Sequence, residues 1–149
     1  MKELILILLF GKSLLLTQHN VDITNNWLEI NPDKPLIAIT GGASINIKIS
    51  IEDKRIIGLR GSENIIGELT KIFPSDIVYA ELIKDDGSHI ELSRRIISVS
   101  DFSLTKEDSV YILLTSDRSL PVDESYKSVR LKSNYGLKNV KIYWKNFSE

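Results

Sequence analysis

VYAELIKDDGSHIEL, residues 78–92, is the stretch on which the fold turns. It holds two alternating segments of strand length on either side of a polar, glycine-containing turn. Two registers compete. A turn made of Asp86-Gly87 alone pairs Ile83 with Ile90 and Leu82 with Glu91, which mixes apolar and charged side chains on both faces. A longer loop, Asp85-Asp86-Gly87, pairs Leu82 with Ile90 and Ala80 with Leu92. Val78, Ala80, Leu82, Ile90 and Leu92 then share one apolar face, and Gly87 supplies the left-handed conformation of a bulge. The second register segregates the faces, so it is the one expected.

The same reading extends along the chain. Residues 43–51 alternate, with Ile45, Ile47, Ile49 and Ile51 on one side and Asn46, Lys48 and Ser50 on the other, the pattern of a half-buried strand. Residues 21–30 are expected as a loop and then a short strand, and 36–40, 109–115, 128–133 and 140–145 as strands. In the last of these Val140, Ile142 and Trp144 face inward, while Lys141, Tyr143 and Lys145 face outward. NYGLKN, residues 134–139, is expected as a linker. One helix stands out at 63–73. There Ile65, Ile66, Leu69, Ile72 and Phe73 fall at helical spacing, Ser62 is placed to cap the start and Pro74 to stop the end.

LILILLFGKSLLL, residues 4–16, is apolar on both faces. It is too short for a membrane span, which needs about 20 apolar residues, and Lys12 interrupts it. A phosphate-binding loop needs glycine where Leu6 stands. A signal peptide is opposed by Glu3, by Lys12 and by the lack of a small-residue cleavage site. A strand at 4–10 followed by a turn at Gly11-Lys12-Ser13 remains, and it requires cover on both sides, from the helix, a loop or another subunit. On this reading the chain has no transmembrane segment, and the cytoplasm is favoured over export.

Composition narrows the function. Apolar residues make up 42% of the 149 residues and charged residues 26%, which describes a folded domain able to bury a core. Net charge is −1, so the basic excess of a general nucleic-acid binder is missing. No cysteine is present, which removes disulfides, thiolate nucleophiles and cysteine-bound metals. The histidines are His19 and His89 only, too few for a histidine-rich metal centre. No G-x-S-x-G elbow occurs. No catalytic residue and no cofactor is expected.

Three sets of residues carry candidate chemistry. RIIGLRGSENIIGEL, residues 55–69, resembles the signature of KH domains, which bind single-stranded nucleic acid. Gly58 and Gly61 bracket Leu59 and Arg60, a helix follows, and the strand at 45–50 precedes. The resemblance implies that Gly58, Leu59, Arg60 and Gly61 clamp backbone phosphates. It departs from the family pattern at Ile65, one position late, and at 109–115, which reads as strand where the last helix is due. The alternative is a glycine-bounded loop feeding a helix, and nucleic acid is not the expected partner. In the second set, the expected hairpin register sets Glu81 opposite Glu91 with His89 on the same face. Facing carboxylates repel, so this group is either a carbohydrate or cation site or an ordinary solvated face. The third set is aromatic: Trp27, Tyr111, Tyr126, Tyr135, Tyr143, Trp144 and Phe147. Among these Tyr143, flanked by Lys141 and Lys145, is the expected ligand-binding patch. Asn146-Phe147-Ser148 also matches a glycosylation acceptor.

These readings combine into one expectation. The chain is a mainly β, antiparallel β-sandwich of immunoglobulin-like architecture with one short helix, a single domain over 1–149. Its role is that of a non-catalytic protein-binding or assembly module whose partner is another protein or a second copy of itself.

Overall fold

The computed structural model describes residues 14–17, 19–39, 41–50, 53–57, 64–100 and 109–147. The apolar segment at 4–10, the turn at 11–13 and the glycine loop at 58–61 lie outside the described residues. In chain order the elements are β1 (Leu14–Leu15), β2 (Val21–Ile23), β3 (Leu28–Ile30), β4 (Leu36–Ile37), β5 (Gly42–Ile49), α1 (Lys54–Ile57), α2 (Ile65–Ile72), β6 (Tyr79–Lys84), β7 (His89–Glu91), β8 (Arg94–Ser100), β9 (Ser109–Thr115), β10 (Ser125–Lys132) and β11 (Leu137–Phe147).

The strands form two antiparallel sheets packed face to face, a β-sandwich. The first runs β1-β11-β5-β9-β8, with β2 also on β11; the second runs β3-β10-β6-β7, with β4 also on β10. Consecutive strands repeatedly change layer. β4 is in the second sheet and β5 in the first, β7 in the second and β8 in the first, β9 in the first and β10 in the second.

The hairpin takes the register that segregates its faces. Leu82 pairs with Ile90 and Glu81 with Glu91, and Leu92 N–H donates to Ala80 O. The Gly87 N–H donates to Lys84 O at 2.9 Å, and Gly87 has φ +86°, the glycine bulge the alternation demanded. Ala80 and Leu82 point into the core opposite Ile45, Ile47, Ile112, Ile142 and Trp144 of the other sheet, all buried. Each leucine or isoleucine among them contributes roughly 1.5–3 kcal/mol by leaving water.

Several elements differ from the sequence-based expectation. Residues 21–30 hold two strands, β2 and β3, one in each sheet. The 134–139 linker is partly strand: Leu137 is buried and pairs with Ile23. The turn signals there are real, since Gly136 and Asn139 have φ +77° and +59°. They bulge β11 between Leu137 and Val140 instead of ending it. β5 is half-buried only at its end: on its outer side Ser44 and Asn46 are nearly as buried as the isoleucines, while Lys48, and Ser50 just past the strand, keep partial exposure. It lies between β11 and β9, which flank Asn46 with Tyr143 and Leu113.

The helix forms where the 3.6-residue spacing places it. Leu69 and Phe73 are fully buried, and α2 packs against β8. Ile66 is 45% exposed, however, so the buried stripe is narrower than the spacing suggested. Asn64 holds the N-cap position and its side chain makes no capping bond; Ser62 lies outside the described residues. A single helical turn, α1, precedes it, and Arg55 there lies 5.1 Å from the Phe73 ring centroid. No helix among the described residues is long and apolar enough to cross a membrane.

Candidate functional site

The outer face of the second sheet gathers the most chemistry. Alternation along β10 turns Val129 and Leu131 inward and Arg130 and Lys132 outward. On β6 the same rule turns Tyr79 and Glu81 outward, and the register sets Glu81 beside Arg130 and Tyr79 beside Lys132. On the other flank β3 places Glu29 opposite Arg130, and Trp27 stands just before β3.

An ordered polar network follows from that register. Arg130 binds one carboxylate oxygen, Oε2 of Glu81, through both Nε at 2.8 Å and Nη2 at 2.6 Å. The Nδ1 atom of His89 lies 2.9 Å from the same oxygen and 3.3 Å from Arg130 Nη2. Partial burial works against the Glu81 charge, and Arg130 and then His89 outweigh it, so the carboxyl titrates below the usual glutamate value. The Arg130 guanidinium carbon also sits 4.3 Å from the Trp27 ring centroid, and Lys132 Nζ sits 4.6 Å from it. Lys132 Nζ further lies 5.7 Å from the Tyr79 ring. Trp27 and Tyr79 keep 39% and 37% of their surface exposed. Two aromatic rings are thus fixed by cations on a sheet surface and still face solvent.

The sequence-predicted residues fall into three places. Glu81 and His89 come together as described, while Glu91 is the register partner of Glu81 and is exposed. Arg130 already engages Glu81, and among the described residues no group of three or more His, Cys, Asp or Glu side chains is arranged to hold a metal ion. Tyr143, Lys141 and Lys145 lie on the opposite side of the molecule, on the outer face of the first sheet. Tyr143 is half-buried between Leu15 and Asn46, and Lys141 is exposed opposite Lys48. Gly58, Leu59, Arg60 and Gly61 lie outside the described residues. Around them, the KH resemblance does not extend to the fold: residues 109–115 are a strand, and β5 and β6 belong to different sheets.

Of the aromatic set, Tyr126 and Trp144 are core, with ring centroids 6.2 Å apart. Asn146 is buried too, and its amide joins the layers: Nδ2 donates to Ile37 O at 3.1 Å, and Oδ1 accepts from Ile39 N–H at 2.9 Å. A glycan on that nitrogen is incompatible with this arrangement. Sequence reasoning missed Tyr79, Arg130 and Lys132. The signal for the last two was present, since Ser128, Arg130 and Lys132 alternate with Val129 and Leu131 in residues 128–132.

No protein-family model, no curated protein and no solved structure matches this chain.

Proposed function

We propose that this protein is a non-catalytic binding module that engages another protein, or a second copy of itself, through the outer face of its second sheet. The sandwich serves as an immunoglobulin-like scaffold for that face. One observation carries the reading: Trp27 and Tyr79 stand exposed around Arg130 and Lys132. Tryptophan, tyrosine and arginine are the residues that dominate binding energy at protein interfaces. Here the cation–π contacts and the Glu81 network hold them in place beforehand, which reduces the ordering cost of association.

The test pairs two measurements on the full chain. Sedimentation of the wild type across concentration reports self-association. Proteins captured on the immobilised chain are then titrated directly against wild type, Trp27→Ala and Arg130→Ala. Both variants are expected to weaken the interaction by about tenfold or more, Trp27→Ala with the wild-type melt and Arg130→Ala with a loss of about 1 kcal/mol from breaking its pair with Glu81. An interaction indifferent to both changes removes the proposal.

A second reading draws on the same rings. Exposed aromatics beside hydrogen-bonding side chains also stack on sugars. Soluble oligosaccharides that saturate a Trp27-dependent fluorescence change would favour carbohydrate over protein.

A further inference from the structure

The outer face of the first sheet carries a concavity on the side away from Trp27. It encloses about 420 Å³ where β5 and β8 begin and β9 ends. Its floor is apolar. Ile96 and Leu113 are register partners on adjacent strands, and both line it. Its rim is polar and mostly cationic. Arg94 and Thr115 form the next outward-facing pair of the same ladder, and the segment after β9 brings Arg118 and Ser119 to the same cavity. A Cβ on Gly41 would stand 3.3 Å from Ser119 Cβ, so that segment is seated directly against the start of β5.

Charge decides what such a cavity holds. Arg94 and Arg118 are exposed, and neither forms an ion pair among the described residues. Asp117 is the one carboxylate among the described residues of the lining, which leaves that described lining net positive. Guanidinium groups bind carboxylate and phosphate with a planar fork of donors, and the hydroxyls of Thr115 and Ser119 stand on the same rim. A volume of this size suits a small organic molecule.

We infer that the cavity between Arg94 and Arg118 binds a small amphiphilic anion. Its carboxylate or phosphate group lies on the two arginines and its short hydrocarbon part over Ile96 and Leu113. The inference is independent of the binding face around Trp27, which lies on the other sheet.

The experiment is a calorimetric titration of the full chain with butyl phosphate, butyrate, inorganic phosphate and butylammonium. A butyl anion is expected to bind at least about tenfold more tightly than inorganic phosphate or butylammonium. Which butyl anion binds more tightly identifies the head group. The double change Arg94→Gln with Arg118→Gln is expected to lower that affinity by about tenfold or more, because two charge-assisted contacts are lost. Ile96→Ser is expected to erase the advantage over inorganic phosphate, and Trp27→Ala to change nothing. Absence of saturable binding by both butyl anions overturns the inference. So does equal affinity for inorganic phosphate, or affinity unaltered in the double variant. The anion-over-cation preference of the wild type needs no variant, so a poorly folding substitution cannot shelter the idea.

Discussion

The two sheets turn different backs outward. On β5 of the first sheet the outward positions Ser44 and Asn46 are 0% and 5% exposed. On β10 of the second, Ser128 is equally buried, but the next outward positions carry Arg130 and Lys132, half-buried among charges and exposed rings. Both strands alternate cleanly in sequence, and both show an apolar inner face. Alternation therefore tells which residues share a side. It does not tell whether the other side meets water.

Substitutions can break or sharpen that contrast. The largest effects belong to the inner faces, where the sheets are alike. Ile47→Ala in the first and Leu82→Ala in the second are each expected to cost about 2–5 kcal/mol in urea denaturation, because both are fully buried. A loss confined to one of them would show that the two layers do not share a core.

On the outer face of β5 the sign reverses. Among the described residues neither the nitrogen nor the oxygen of the Asn46 amide finds a hydrogen-bond partner, although both are buried. Asn46→Leu, of similar size, is expected to raise stability by about 1–2 kcal/mol. A measured loss would mean that this amide is satisfied and the two backs are less different than they look.

The hairpin of the second sheet supplies the next effect. Gly87 sits at φ +86°, and a Cβ there would meet no described atom within 4 Å. Gly87→Ala is expected to cost about 1 kcal/mol through backbone strain alone, with the same fold by circular dichroism.

The smallest effects separate the two facing glutamates. Glu81→Gln removes the partner of Arg130 and His89 and is expected to cost about 0.5–1 kcal/mol. Glu91→Gln relieves repulsion and is expected to gain a few tenths. The Glu81 pKa is lowered in the folded state, so its contribution is complete above the ordinary glutamate value of 4.5. That contribution is lost as the pH falls through the depressed folded value. The stability gap between wild type and Glu81→Gln should therefore close on acidification from pH 5 downward. A gap that persists unchanged in acid would assign the effect to packing instead of charge.

Legibility followed the range of the interactions. The 78–92 hairpin was readable because its register, turn and apolar face depend on neighbours in sequence. The inward set Val140, Ile142 and Trp144 was readable for the same reason. The Glu81 and Glu91 pairing was foreseen, but its meaning was not. The guanidinium that neutralises Glu81 comes from Arg130, 49 positions away, on a strand whose pairing no local pattern specifies. Trp27 was noted only as one aromatic among several, since its company of Arg130 and Lys132 exists only once β3 and β10 align. Asn146 looked like a modification site because a tripeptide carries no information about burial.

The repeated changes of layer have a kinetic consequence. The partners of β10 arrive from positions 28–30, 36–37 and 79–84, and those of β11 from 14–15, 21–23 and 42–48. Neither half of the sandwich can be completed by a contiguous piece of chain, so neither can act as a preformed template for the other. Loops must close before most ladder bonds exist, and chains wired like this refold over milliseconds to seconds. β11 is a hub of the first sheet and follows in sequence every strand it pairs with, so that sheet stays unfinished until β11 has emerged.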